Sequence, residues 1–188
     1  TIENYFYIRT KESAAVLQDL TQRNVATTLS TNSHASADSK ALIGMANSDQ
    51  TKLVASGVKV YGRDGRAPKE DSADPQARNS KWTMHTKTMN VDNNTFIGSA
   101  NFDPRSQNIN AEVGIIIHNN PEIAALSRKA IMDRVQAQSA PLKTNGTYDA
   151  PNDPQMKRTW LGRVWHKTVK AIVSPLRDPE ERRVGKEC

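Results

Sequence analysis

Residues 82 to 117 combine strand-forming runs with one short polar turn. They read WTMHTKTMNVDNNTFIGSANFDPRSQNINAEVGIII. Residues 82 to 91 contain Thr, Met, Trp and Val but no proline or glycine, which favours a strand. Asp92-Asn93-Asn94 then supplies residues that tolerate the left-handed backbone of a hairpin loop. Because residues 95 to 97 and 112 to 117 also have strand character, we expect a hairpin and a third strand.

The register of this hairpin decides which polar side chains share a face. Side chains alternate along a strand, so His85 and Lys87 point the same way. A three-residue loop over residues 92 to 94 sets Lys87 opposite Ser99 and pairs Val91 with Thr95. His85 is then opposite Asn101. A two-residue loop would turn Ser99 and Asn101 to the other face, so we predict the three-residue register, which gathers all four polar groups.

These four groups suit phosphate chemistry. An imidazole can attack phosphorus or move a proton, and an ammonium group attracts phosphate oxygens. A hydroxyl and a carboxamide can donate hydrogen bonds to those oxygens. We expect Glu112, at the start of a buried strand, to be the partner of His85. Asp92 lies seven residues from His85, roughly 20 Å along a straight strand, and receives a structural role in the turn.

The motif His-x-Lys, followed by Asp and then Gly-Ser-x-Asn, resembles the HKD signature of the phospholipase D superfamily. The continuation NFDPRSQNINAEVGI and the upstream segment TLSTNSHASADSKA are similar to its bacterial cardiolipin synthase and phospholipase D-like branch. The resemblance covers most of residues 2 to 137. The residues that match the signature are His85, Lys87, Asp92, Gly98, Ser99 and Asn101.

The resemblance implies that two HKD motifs meet across a pseudo-twofold axis. One histidine becomes a phosphohistidine and the other protonates the leaving group, without a metal or another cofactor. His85 is then the nucleophile or the acid, and both roles stay open. Lys87, Ser99 and Asn101 would bind phosphate, and Glu112 would orient His85. Asp92 and Gly98 would have structural roles.

Only one HKD motif is present, because the other three histidines lack a lysine two residues later; these are His34, His118 and His166. The second half must therefore come from a further N-terminal domain or from a homodimer mate. The chain begins at Thr1 rather than at methionine, which favours a processed protein or a piece of a longer one.

The rest of the sequence predicts an α/β fold, a mixed sheet flanked by helices. A strand over residues 3 to 8, a helix over 11 to 22 and a strand over 25 to 30 favour a parallel pair. We expect helices over residues 38 to 56 and 121 to 138, with Leu42 among the inward residues of the first and Ile123, Leu126, Ile131 and Val135 facing the core from the second.

A polar loop over residues 32 to 38 follows the second strand, at the edge where α/β sheets place their sites. Asn32, Ser33 and His34 are possible pocket residues, and helix capping is the alternative for this loop. Arg105 either touches phosphate or pairs with Asp103.

The expected division is a catalytic half-domain over residues 1 to 138, a linker over 139 to 156, a basic amphipathic helix over 157 to 174 and a tail over 175 to 188. Trp160 and Trp165, flanked by lysine and arginine, either bind a membrane surface or pack on the domain. The formal net charge is +6, which suits an anionic partner. The single cysteine, Cys188, excludes an intrachain disulfide. The expected location is peripheral, on a bacterial membrane.

Together these features predict a phosphatidyltransferase or phospholipase D-type enzyme, similar to cardiolipin synthase, that cleaves phospholipid phosphodiester bonds. One alternative is a homodimeric HKD nuclease or phosphodiesterase. The other is an inactive fragment that binds membranes or assembles with a partner.

Overall fold

A computed structural model of the chain describes residues 1–66, 75–76 and 80–150. Its strands are β1 (Ile2–Asn4), β2 (Thr28–Asn32), β3 (Lys59–Arg63), β4 (Lys87–Val91), β5 (Asn94–Gly98), β6 (Gly114–Ile117) and β7 (Ser139–Pro141). Its helices are α1 (Lys11–Gln22), α2 (Lys40–Ala55), α3 (Pro104–Asn108) and α4 (Pro121–Gln138).

The seven strands form one mixed sheet in the order β6-β5-β4-β1-β2-β3-β7. Strands β1, β2 and β3 run parallel, and the other neighbouring pairs are antiparallel. The α/β fold class is therefore confirmed, as is the parallel pair that flanks α1. The predicted strand over residues 3 to 8 is shorter than expected, since β1 ends at Asn4.

The core lies against one face of the sheet. Ile2, Leu29 and Val60 are register partners on β1, β2 and β3, and they pack in one cluster with Leu17 of α1 and Leu53 of α2. Burial of such side chains contributes about 1.5–3 kcal/mol each. The predicted inward position of Leu42 is wrong, since this side chain is 39% exposed.

Helix α4 covers the opposite face and has the bounds that the sequence predicts. Asn120 caps it by accepting a hydrogen bond from the Ile123 backbone, and Pro121 follows as the first helical residue. Ile131 and Val135 are buried as expected. The predicted core positions of Ile123 and Leu126 are wrong, since these side chains are 37% and 61% exposed. The N-terminal half of α4 begins beside the hairpin turn, where the Asn120 N–H bonds to the Asn93 carbonyl.

The hairpin between β4 and β5 has a different register from the predicted one. Val91 pairs with Asn94 and Thr88 pairs with Ile97, so the loop consists of Asp92 and Asn93 alone. The left-handed backbone falls on Asp92, whose φ is 49°. Because Asn94 belongs to β5, the expected pairs of Val91 with Thr95 and of Lys87 with Ser99 are wrong by one residue.

Strand β6 is an exposed edge strand, not the buried strand that the sequence predicts. It pairs only with β5 among the described strands. Ile115 is 68% and Ile116 is 56% exposed. Ile115 pairs with Ile97, which is 49% exposed. The side chains of Ile115 and Ile116 are therefore exposed, and together with Ile97 they form an apolar edge of the sheet.

The segment predicted as a linker from residue 139 belongs to the domain over its described part. Residues 139 to 141 form β7 beside β3, and Ala140, Leu142 and Tyr148 are buried in the core cluster. Burial of these apolar side chains thus attaches an otherwise polar segment to the core of the domain. The rest of the linker, the basic helix with Trp160 and Trp165, and the tail lie outside the described residues.

Candidate active site

Strand β4 begins at Lys87 and not at residue 82 as predicted, so His85 lies beside Lys87 in the segment that leads into the strand. The Nζ atom of Lys87 is 3.0 Å from Nδ1 and 3.1 Å from Nε2 of His85, and it donates a 2.9 Å hydrogen bond to the His85 carbonyl. His85 is exposed, whereas Lys87 is buried. Burial lowers the pKa of Lys87, and the charges of Glu112 and Asp103 oppose that shift. The site thus combines a reachable imidazole with a partly desolvated ammonium group.

Asn32 fixes the backbone that leads into His85. Its carboxamide donates to the carbonyls of Tyr5, at 3.1 Å, and Met84, at 2.7 Å, and accepts a 3.1 Å hydrogen bond from the Met84 N–H. Asn32 is fully buried. The predicted pocket role of Asn32 is therefore wrong, and the residue clamps the strand end that presents His85.

Tyr5 is a neighbour of His85 that the sequence reasoning did not single out. Its ring centroid is 4.7 Å from that of His85, at an interplanar angle of 60°. The Lys87 Nζ atom is 5.4 Å from the Tyr5 ring centroid. The Tyr5 hydroxyl donates a hydrogen bond to Asp38. Burial and Asp38 raise the pKa of Tyr5, so its phenol keeps its proton.

Ser99 is held by Glu112, which the sequence assigned to His85. The Ser99 hydroxyl donates to Oε2 of Glu112, and Asn110 donates to Oε1 at 3.0 Å. The Ser99 oxygen also accepts a 3.0 Å hydrogen bond from the Val113 N–H. Hydrogen bonds from Ser99 and its neighbours lower the pKa of Glu112. Within the described part of the chain Glu112 makes no hydrogen bond to His85, so the predicted orienting contact is wrong.

Asn101 lies beyond the end of β5, in the loop that leads into α3. Its backbone N–H donates to Ser106 at 3.1 Å. Its buried side-chain oxygen has no hydrogen-bond partner among the described residues. This oxygen is an acceptor, whereas phosphate oxygens require donors. Phosphate binding through the N–H groups of the Asn101 carboxamide therefore stays a prediction.

Arg105 does not form the ion pair with Asp103 that the sequence offered as one alternative. Asp103 caps α3 by accepting a 2.8 Å hydrogen bond from the Ser106 N–H. The Arg105 side chain is exposed, and among the described residues it has no ion pair. Contact with phosphate stays a prediction for Arg105.

Gly98 and Asp92 serve the backbone of the hairpin. A Cβ atom on Gly98 would lie 2.6 Å from Cζ of Phe96 and 2.7 Å from the Val113 carbonyl oxygen. Only glycine therefore permits this approach of β5 and the chain before β6. The Asp92 carbonyl accepts a 2.8 Å hydrogen bond from Arg128, and its left-handed backbone forms the turn.

The other two predicted pocket residues, Ser33 and His34, contact groups other than His85. Ser33 is buried, and its hydroxyl donates to the Arg63 carbonyl and accepts from the Ala35 N–H at 2.9 Å. His34 packs 5.8 Å from Tyr148, measured between ring centroids. A structural role in the loop therefore accounts for Ser33, and a pocket role for His34 stays a prediction.

The arrangement offers an exposed imidazole, a neighbouring ammonium, a serine hydroxyl bonded to a carboxylate and an uncommitted carboxamide. In residues 1–66, 75–76 and 80–150 there is no cluster of three or more His, Cys, Asp or Glu that could hold a metal ion. No helix in the same described ranges has the length and hydropathy to cross a membrane. These groups can attack the phosphorus of a phosphate ester as a nucleophile, or transfer a proton to or from the ester.

The sequence of this chain is similar to one known protein family and to individual bacterial proteins. Residues 2–134 match the protein family described as "Cardiolipin synthase, PLD-like domain". Cardiolipin synthase C of Escherichia coli (strain K12) is 30% identical over 141 residues, which are 72% of this chain and 29% of that protein. A protein of Helicobacter pylori is 28% identical over 139 residues, 72% of this chain and 26% of that protein. The chain thus spans less than a third of the length of these relatives.

Solved structures share the fold at lower sequence identity. A phospholipase D family member, Nuc from Salmonella typhimurium, has a TM-score of 0.57 at 17% identity, over 76% of this chain and 80% of that one. Phosphatidylserine synthase of Haemophilus influenzae Rd KW20 has a TM-score of 0.57 at 11% identity, over 91% of this chain and 40% of that one.

Proposed function

Because the chain belongs to the family of cardiolipin synthase, PLD-like domains, we propose that it supplies one of two HKD halves of a phosphatidyltransferase. The family match and the fold confirm the superfamily resemblance seen in the sequence. The observation that carries the proposal is the contact of the exposed His85 imidazole with the buried Lys87 ammonium. A phosphodiester attracted by Lys87 would lie beside the imidazole.

The proposed reaction has two steps. In the first, one histidine nitrogen forms a bond to phosphorus while the bond from phosphorus to the leaving oxygen breaks, and the second histidine gives its proton to that oxygen. In the second, an alcohol or water attacks phosphorus, the N–P bond breaks, and the attacking oxygen loses its proton to the second histidine. His85 takes one of these roles. Lys87 and Asn101 bind the phosphate oxygens in both steps. Ser99 joins them when its hydroxyl, which has a single hydrogen, turns from Glu112 to a phosphate oxygen.

The second half is a proposed partner. The chain contains one HKD motif, and the apolar edge beside the site exposes side chains on β5 and β6. Exposed apolar surface that adjoins a polar site is typical of a protein interface. Either a second domain or a second copy of the chain would cover Ile97 and Ile115 and bring the second histidine to the phosphate.

Phospholipid is the proposed substrate class. Its support is the 30% identity to cardiolipin synthase C, together with the basic sequence around Trp160 and Trp165, which would hold the protein at a membrane surface. The competing substrate is nucleic acid, cleaved by a homodimer. The net charge of +6 and the match to 80% of the length of Nuc favour that alternative. A fragment that only binds membranes or partners is the remaining candidate.

The test is to incubate the purified chain with phosphatidylglycerol vesicles and, separately, with single-stranded DNA. The molecular mass in solution is measured in parallel by sedimentation, and His85→Asn is the matched control. If the chain sediments as a dimer, which has both halves, we expect cardiolipin and glycerol, or phosphatidic acid, from the vesicles and no product from the variant. Cleavage of DNA alone by a dimer would replace the lipid proposal with the nuclease. No product from a dimer with either substrate, with vesicle binding retained, would favour the inactive fragment. An inactive monomer would instead favour a second half that lies in another domain.

A further inference from the structure

Among the residues that the structure describes, the His85 imidazole has no hydrogen bond to a carboxylate of the kind that usually fixes a catalytic histidine. In the described residues its ring has contacts of two kinds, with the Lys87 ammonium and with the Tyr5 ring. The carboxylate of Glu112 is bonded to Ser99 and Asn110 instead. Since His85 is exposed, its rotamer depends on these neighbours.

Both the backbone carbonyl and the side-chain hydroxyl of Tyr5 make hydrogen bonds. Its carbonyl accepts hydrogen bonds from the carboxamide of Asn32, at 3.1 Å, and from the hydroxyl of Thr31, at 3.2 Å. Its hydroxyl donates to Asp38. The residue is 8% exposed. The ring therefore presents a fixed surface to its neighbours.

Two catalytic side chains contact this one surface. The His85 ring lies 4.7 Å from it and tilted by 60°, a geometry typical of favourable aromatic pairs. The Lys87 Nζ atom lies 5.4 Å from the same ring centroid, within cation–π range. A ring that contacts both groups fixes the imidazole and the ammonium relative to each other.

We propose that Tyr5, anchored by Asp38, is the positioning residue that holds the His85 imidazole in its reactive rotamer. The inference deepens the proposed function, because it concerns the same histidine. It assigns the orienting role to an aromatic ring and a carboxylate 33 residues away, in place of a carboxylate bonded directly to the imidazole.

The first experiment measures the orientation of His85 without any substrate. In the full chain, nuclear magnetic resonance couplings between the α and β protons of His85 report its χ1 rotamer, and His85→Asn identifies its signals among the four histidines. We expect a single rotamer in the parent protein. Tyr5→Leu should average the couplings between rotamers and shift the ring-proton signals, because the ring current of Tyr5 is lost.

Two milder variants protect this test against misfolding. Tyr5→Phe keeps the packed ring, and Asp38→Ala changes an exposed residue; both remove the same hydrogen bond. Each variant should partly average the α–β couplings of His85. The double variant should show the same couplings as either single variant, because both substitutions remove one and the same hydrogen bond. Tyr7→Phe is the matched control, since it removes a phenol two residues away that contacts Ser13. It should leave His85 unchanged.

The second experiment measures turnover of the substrate that the parent protein accepts. Tyr5→Leu should lower kcat by about tenfold or more, with KM within about twofold, since misplacement of a reacting group costs rate more than binding. Tyr5→Phe should recover most of that loss. An averaged His85 rotamer in the parent protein, or unchanged couplings in Tyr5→Leu, would overturn the positioning role. Absence of turnover by the parent protein would count against the proposed function alone, because the couplings still decide the role of Tyr5.

Discussion

The Nζ atom of Lys87 lies within 3.1 Å of both ring nitrogens of His85. One ammonium group thus spans the edge of the imidazole through which it would react. His85 precedes β4, which begins at Lys87, and only Thr86 separates the two residues, so their contact is local. The arrangement keeps a positive charge beside the histidine before any substrate arrives.

Replacement of His85 by alanine should abolish turnover and leave the fold intact. The imidazole is exposed, so its removal opens no cavity in the core. We expect a loss of about 1,000-fold or more and a change in unfolding free energy below about 0.5 kcal/mol. Turnover of bis-para-nitrophenyl phosphate and urea unfolding measure the two quantities. His118→Ala, at another exposed histidine, is the control, and turnover that survived His85→Ala would remove His85 from the mechanism.

Replacement of Glu112 by glutamine should weaken substrate binding more than it slows the chemical step. Glu112 holds Ser99 rather than His85, so its charge sets the place of a phosphate-binding hydroxyl. We expect KM to rise by about tenfold, with a smaller change in kcat. Steady-state kinetics check this, with Glu122→Gln as the control. A large fall in kcat at constant KM would instead restore the histidine-orienting role.

The same carboxylate should contribute to stability in a pH-dependent way. Hydrogen bonds from Ser99 and its neighbours hold the pKa of Glu112 below its ordinary value of 4.5. Its stabilising contribution is therefore complete above pH 4.5 and is lost as the pH falls through the depressed pKa of the folded state. Urea unfolding across this range should show the parent protein and Glu112→Gln converging in acid. A stability difference independent of pH would contradict the assignment.

Replacement of Asn32 by alanine should destabilise the domain. The variant leaves the buried Met84 N–H without its acceptor, which costs about 1–3 kcal/mol. It should also lower kcat, because Met84 precedes His85. Urea unfolding and kinetics measure both effects, and Asn108→Ala, at an exposed asparagine, is the control. A change in KM at unchanged stability would return Asn32 to the substrate pocket.

Much of the fold could be predicted from the sequence. Helix α4 has the expected bounds because its start is marked by Asn120 and Pro121, and its burial repeats at helical spacing. The hairpin was also expected. Its register was not, because residues 92 to 94 all tolerate a left-handed backbone and the sequence does not say which of them turn. Asp92 takes the positive φ, and every pair moves by one residue.

The sequence identifies the residues of the candidate site better than it predicts the contacts between them. His85 and Lys87 were expected to share a strand face, but β4 begins only at Lys87. They meet because the Lys87 side chain turns back to the carbonyl and the ring of His85. Ser99 and Asn101 lie beyond the end of β5, where alternation no longer applies, so the partner of Glu112 could not be deduced. Tyr5 carries no sequence signal of its own, and only the folded chain brings it to His85.

The Asn32 clamp has a consequence for how activity arises during folding. Asn32 bonds to Tyr5, 27 residues before it, and to Met84, 52 residues after it. Contacts between such distant residues close large loops and form slowly. A chain whose first strands have assembled but whose residue 84 is not yet docked has no ordered imidazole. During synthesis and refolding, reactivity should therefore appear together with these long-range contacts and not with the local helices and turns.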